Sequence, residues 1–353
     1  MNSIQKITTI IIFSFTSLIT AQETESHTHD HSKHGSHAPI GVMGDHTMKK
    51  GEFMFSYRYM LMGMDGMLDG NNEISNADVM SRGYMVTPTE MTMQMHMIGA
   101  MYAPSDRVTL TAMASYRAND MDLIIIGNGT EFSTSASGIG DTKLGALVNL
   151  IEKGNHKIHA NVGLSIPTGS INNRDDVPVL DDALLAYPMQ TGTGTWDTSM
   201  GLTYTGYKGL LGWGAQTLYT QPLGKNNKDY TVGAKAEATI WGTYQATDFV
   251  SFSARLKYMQ TGAINGSASE LSEPTFRNDG VTPIVFANFA PIFNTVNSGR
   301  KQLDVNVGSS FMLDFITEGL RFGAEVGLPV YQDVNGVQMD NQFMGTIGLQ
   351  YAL

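Results

Sequence analysis

Apolar residues recur at every second position in about a dozen stretches between residues 53 and 353, with small, polar or charged residues between them. Side chains alternate faces in a strand, so each stretch predicts a β-strand with one apolar face. The C-terminal stretch is the plainest. Phe343, Ile347, Leu349, Tyr351 and Leu353 share one parity, and Thr346, Gly348, Gln350 and Ala352 hold the other. The first stretch carries Phe53, Phe55, Tyr57, Tyr59 and Leu61 on one face. Between them, strands are expected at about 91–102, 108–117, 141–150, 157–166, 198–206, 211–221, 230–240, 250–258, 303–311 and 320–328.

The connections alternate in length. Segments 63–90, 118–137, 168–195, 222–229, 262–299 and 332–340 are the longer set. Segments 104–106, 153–155, 207–209, 246–248 and 314–319 are short. This alternation predicts an all-β fold: a transmembrane antiparallel up-and-down β-barrel of 12 strands, with short periplasmic turns and long external loops. An even strand count places both barrel termini in the periplasm. Charge is sorted by parity, as a barrel requires, because a charge facing lipid costs ~2–4 kcal/mol at the bilayer midplane. Tyr57, Tyr59, Tyr102, Tyr116, Tyr258 and Tyr351 lie near strand ends, where an interfacial aromatic girdle would sit.

The N-terminus adds a location. Lys6, the apolar run Ile7 to Ile19 and Thr20-Ala21 read as a signal peptide over 1–21. Residues 22–50 follow as a polar, His-rich, largely disordered periplasmic leader, and 51–353 as the barrel. No later run approaches the roughly 18 apolar residues of a membrane helix. The expected location is the outer membrane of a Gram-negative bacterium, with its lipid as partner. Cysteine is absent, which excludes disulfides and thiolate chemistry. The formal net charge of −11 argues against nucleic acid as a partner.

Three groups of residues carry candidate chemistry. His27, His29, His31, His34, His37 and His46 crowd the leader, with Asp30 and Asp45 beside them. Neutral imidazoles ligate Zn, Cu and Ni, so Cu or Zn is the implied ion, against the plain alternative of a solvated leader. Methionine is the second group: seventeen of 23 fall in the first 121 residues. Met60, Met62, Met64 and Met67, where the first strand runs into its loop, offer thioethers that select Cu(I). Met91, Met93, Met95, Met97 and Met101 are expected to face lipid as adaptable apolar side chains. The third group is the charged parity, expected to line the pore: Arg117, Asp141, Lys143, Lys157, His159, Lys235, Glu237, Arg255, Lys257, Asp304, Arg321 and Glu325. These could select a solute or merely pair across a narrow lumen. Asp65-Gly66 and Asp69-Gly70-Asn71-Asn72 lack the register of a calcium loop and read as turns. No serine stands in a nucleophile motif beside a plausible base, so no enzymatic activity and no catalytic residue is expected.

Several ordered motifs resemble one family. They are His37-Ala38-Pro39-Ile40-Gly41-Val42-Met43-Gly44-Asp45-His46, Ser56-Tyr57-Arg58-Tyr59-Met60 and Gly138-Ile139-Gly140-Asp141-Thr142. Further along come Gly163-Leu164-Ser165-Ile166-Pro167-Thr168-Gly169-Ser170-Ile171, Tyr187-Pro188-Met189-Gln190 and Gly192-Thr193-Gly194-Thr195-Trp196-Asp197. Over most of 37–353 the chain resembles the bacterial outer-membrane transporter group named for meta-pathway phenol degradation. The resemblance implies an outer-membrane barrel with a transport role and brings no catalytic residues. Taken together, the expected function is a channel or transporter for a small solute, with a link to copper or zinc handling. The alternatives are a metal-binding protein of metal resistance without an open pore, and an uptake channel for aromatic compounds. A periplasmic partner for the leader is a further expectation.

Overall fold

The computed structural model describes residues 37–353. The expected signal peptide and the leader histidines His27, His29, His31 and His34 lie outside the described residues. The wall is built from β1 (Phe53–Gly70), β2 (Val86–Ser105), β3 (Val108–Ile125), β4 (Thr130–Ile139), β5 (Thr142–Lys153), β6 (His156–Ile166), β7 (Trp196–Lys208), β8 (Leu211–Leu223), β9 (Lys235–Gln245), β10 (Val250–Thr261), β11 (Arg300–Met312) and β12 (Leu320–Ala352). Neighbours pair antiparallel in sequence order. β4 continues the edge of β5 and pairs with the distal part of β3. A final pairing of β12 with β1 closes the ring, so no hydrogen-bonding edge is left in the membrane.

Eleven hydrogen-bonded strands form this closed antiparallel barrel. An odd number of strictly antiparallel strands cannot close, and β12 resolves the parity. Its first half pairs with β11, from Arg321 with Met312 to Val334 with Arg300. Its second half pairs with β1, from Val337 with Asp69 to Ala352 with Met54. The reversal falls at Asn335–Gly336, where Gly336 has φ of 61°, a conformation that costs any residue with a Cβ. Ten single strands and the two halves of β12 thus cross the wall twelve times. The expected loop at 332–340 is in fact this tight turn.

Two other expectations change. The segment 118–137 is not a loop: β3 runs on to Ile125 and β4 begins at Thr130, leaving only a short turn. Asp120 and Asp122 are exposed on the outer parity of this extension, which suits a hairpin standing above the hydrocarbon rather than in it. The strand expected at 230–240 begins at Lys235. Tyr230–Thr231 instead pairs with Asn265–Gly266 inside the loop layer.

The loops at the long end fold together. Segments 167–195, 224–234 and 262–299 share an apolar core with the distal ends of β1, β2, β3 and β12. Met189, Tyr230, Leu271, Phe286 and Phe293 bury there against Met91, Met121 and Met339. Among the described residues no helix is long and apolar enough to cross a membrane, and the crossing is made by strands.

Candidate functional site

The segment expected as structureless leader is placed from His37 onward, and it lies inside the barrel. Near the short-turn end the Lys50 amide donates to Asp106 Oδ1 (2.9 Å) and the Gly51 amide to the Ala103 carbonyl (2.8 Å). Farther in, the Met48 amide donates to Thr109 Oγ1 on β3 (2.9 Å). The Gly44 carbonyl accepts from Asn161 Nδ2 on β6 (3.0 Å) and Gln216 Nε2 on β8 (3.4 Å), and His159 Nε2 lies 2.9 Å away. The Ala38 carbonyl accepts from Arg321 Nη2 on β12 (2.7 Å). These anchors come from strands on different sides of the ring, so residues 37–48 cross the lumen rather than hug one wall.

Apolar contacts and close packing complete the plug. Ala38 and Val42 bury against Trp241 of β9. At Gly41 an added Cβ would lie 2.3 Å from Glu325 Oε1 and 2.6 Å from Arg255 Nη2. Only glycine lets the backbone approach this ion pair, whose two members are each 3% exposed. The turn at Gly44 has φ of 62°. The Ala38 amide donates to Asp45 Oδ2 (3.2 Å), which folds the segment back on itself.

That fold-back gathers donors. His37, Asp45 and His46 offer ligand atoms that all lie within 4.8 Å of one another. His46 Nδ1 is 3.0 Å from Asp45 Oδ1, and the two imidazoles meet edge to face at 5.2 Å. Burial works to raise the Asp45 carboxyl, but His46, His37 and Arg321 around it hold it well below the usual range. Two imidazoles and one carboxylate form a donor set that fits zinc or copper, with further coordination positions left for water or a substrate.

Every residue expected on the pore side takes the inward parity of its strand, with Asp141 at the junction of β4 and β5. Their partners differ. Arg255 pairs with Glu325. Glu237 lies 3.2 Å from Lys235 and 3.3 Å from Lys257, a two-to-one cationic group on the inner wall. Lys157 pairs with Glu152 (3.0 Å). Asp304 accepts from Gln302 Nε2 (2.6 Å). Asp141 is an anchor: its oxygens accept from the Gly169 amide (3.0 Å) and from the amide and hydroxyl of Thr193 (2.9 Å each). It pins the 167–195 loop to the rim. His159 and Arg321 are engaged by the plug. Lys143 is exposed on the inner face, and Arg117 Nε, buried, has no hydrogen-bond partner.

The methionines require a correction. On β2 the parity of Met91, Met93, Met95, Met97 and Met101 points into the barrel, not to lipid. Met91 is 1% exposed, whereas Ile98 on the other parity is 66% exposed. Met60, Met62 and Met64 also face inward, because they share the parity of buried Arg58. They belong to β1 itself rather than to a loop. Met67 is buried under the loop layer. Asp69, considered for a calcium turn, instead pairs with Arg82 (2.6 Å).

Sequence reasoning missed Arg58, Asn161, Gln216 and Trp241. The signal was present, since all four lie on inward parities, but the neutral amides and the indole look like filling until their plug partners are known. A further feature had no sequence signal. Phe132, Val177, Met189, Phe286, Phe289 and Phe293 help to line a small apolar cavity of ≈20 Å³ between the loops.

No protein-family model matches the chain, and no curated protein matches it in sequence. Solved structures do match. The fold is similar to that of an outer-membrane channel from Pseudomonas putida F1, at 15% identity and a TM-score of 0.61, covering 89% of this chain and 100% of that one. Two lower matches are the transport unit of the autotransporter AIDA-I from Escherichia coli (11% identity, TM-score 0.46, 88% of this chain and 93% of that one) and the β domain of the Bordetella autotransporter BrkA (11%, 0.43, 86% and 100%). The barrel fold is thus that of outer-membrane proteins of Gram-negative bacteria.

Proposed function

We propose that this protein is an outer-membrane channel for a small solute, held shut at rest by its own N-terminal segment. The observation that carries the reading is the plug: residues 37–48 cross a lumen whose inner face is charged and polar, and their anchors are individually weak. Each neutral hydrogen bond contributes only ~0.5–1.5 kcal/mol net, and the one from the Arg321 guanidinium ~1.5–3 kcal/mol, which suits a segment that can leave. The short-turn end with both barrel termini faces the periplasm in this reading. Planar-bilayer recording tests it. Removing residues 22–46 should turn brief or absent openings into sustained conductance. A barrel that stays silent after the removal, under all common ions, defeats the channel reading.

The link to metal ions rests on His37, Asp45 and His46. A divalent ion bound there would tie the fold-back of the plug together and so couple gating to metal. Titration of Zn(II) and Cu(II) into the full chain and into the chain lacking 22–46 checks this. Equal, weak binding by both would remove the leader and plug from metal handling.

A further inference from the structure

We propose that the inner wall formed by β1, β2 and the second half of β12 is a thioether site for a soft monovalent cation, Cu(I) or Ag(I). The inference rests on the barrel register. Met62 of β1 lies opposite Met93 of β2 on one side and opposite Met344 of β12 on the other. Directly opposed residues on one face of an antiparallel pair have Cβ atoms ~4.5–5.5 Å apart. Flexible thioether side chains at that spacing can converge on one ion. Two residues toward the short-turn end, Met60 opposes Met95. On the other side, Met64 opposes Met91, which opposes Met121. Same-face rows follow one another at ~6.5–7 Å along a strand, so the wall offers a short ladder of sulfur rows.

Accessibility singles out part of this ladder. Met91 and Met121 are each 1% exposed beneath the loop layer. Met60, Met62, Met93, Met95 and Met344 are half-buried, with surface left toward the lumen. The ladder therefore lies between the loop layer and the plug, beginning one row beyond Arg58, which is opposed by Met97.

The chemistry of the rows selects the ion. Their flanking inward residues are Thr346, Arg117, Asn119 and Asn341. None is a carboxylate, so a hard dication finds no anionic oxygen there. Thioether sulfur is soft and prefers Cu(I) to divalent or alkaline ions. A merely apolar wall would be served as well by leucine or by the β-branched residues that strands favour. Methionine adds side-chain entropy to be lost on ordering, and what it offers in return is sulfur. The imidazole site of the plug is chemically distinct, with donors for borderline divalent ions.

The test is Ag(I), a redox-stable stand-in for Cu(I), titrated calorimetrically into the full-length barrel in detergent and chloride-free buffer. The titration is run with saturating Zn(II) present, which competes for imidazoles and not for thioethers. The variant M62L/M93L/M344L conserves volume, a change cores tolerate, and M62L alone serves if the triple variant folds poorly. The expected result is a tight Ag(I) equivalent in the native chain that the triple variant lacks and that M62L binds roughly tenfold or more weakly. Unchanged stoichiometry and affinity in both variants would overturn the proposal and leave the methionines as an apolar wall. The inference uses the lumen of the channel reading but not its conductance. A silent barrel that binds Ag(I) through these residues defeats only the channel, and a conducting barrel indifferent to the substitutions defeats only the thioether site.

Discussion

Gly41→Val should loosen the plug while leaving the barrel intact. The first added carbon would meet Glu325 Oε1 at 2.3 Å and Arg255 Nη2 at 2.6 Å, both far inside contact distance. Those two side chains cannot yield cheaply. They are each 3% exposed and paired to one another, and breaking a buried pair costs ~3–5 kcal/mol. The plug backbone must yield instead. Overpacking of this kind costs ~1–3 kcal/mol, which shifts a two-state equilibrium by about 5–150-fold. The chain contains no cysteine, so a single reporter thiol has no background. Ala38→Cys places it at a position 2% exposed when the plug is seated. When opening is fast relative to labelling, the rate of maleimide modification reads the open population. The doubly substituted chain should label about 5–150-fold faster than Ala38→Cys alone. Equal rates, with the barrel intact by its heat-dependent gel shift, would refute the claim that Gly41 packing holds the plug in the lumen.

Other consequences follow from the same contacts. Glu325→Gln leaves Arg255 buried without its counter-charge, and the gel-shift unfolding temperature should fall, by the equivalent of ~3 kcal/mol or more; no change would mean that lumen water already screens the pair. Glu270 joins three loops through Lys228 (2.6 Å) and Arg174. The Lys228 hydrogen bond, with Arg174 beside it, holds the Glu270 carboxyl below its ordinary 4.5. A depressed folded value means the contribution is complete above 4.5 and is lost as pH falls through the lower value. Protection of the 262–299 amides, taken relative to their intrinsic exchange at each pH, should therefore fall on acidification below that point, and Glu270→Gln should show the lower protection already at neutral pH. At Gly336, where φ is 61° and a Cβ would strike Asn297 Oδ1 at 2.1 Å, valine should lower the yield of closed barrel on refolding, read as the unshifted gel band. Asp141→Asn weakens three hydrogen bonds to the 167–195 loop and should speed its proteolysis without lowering the unfolding temperature of the wall.

The wall was legible in the alternation of its residues. Phe55, Tyr57, Ile347 and Leu349 face outward as their parity indicates, because lipid tolerates no charge and sorts side chains by face. The same logic failed on β2. Met93 and Met95 are apolar, so alternation alone points them to lipid, yet His96, Ile98 and Tyr102 hold the exposed face. Alternation gives the period of a strand but not its phase when both parities carry apolar or weakly polar groups, and only pairing with β1 and β3 fixes which side is inside. The extent of β3 and β4 was hidden for a related reason. Asp120 and Asp122 look like loop residues until the hairpin is seen to rise clear of the hydrocarbon.

The candidate site was legible in its parts and not in its assembly. The leader histidines, the methionines and the charged parity all stand out in the sequence, which by itself determined the barrel and the identity of its inward charges. A strand's period is a local property of the chain. The fold-back that brings His37 to Asp45 and His46, the seating of Gly44 against Asn161 and Gln216, and the row Met344–Met62–Met93 join residues as much as 282 positions apart. Only the closed tertiary structure decided these, because ring closure sets the register that places distant strands side by side.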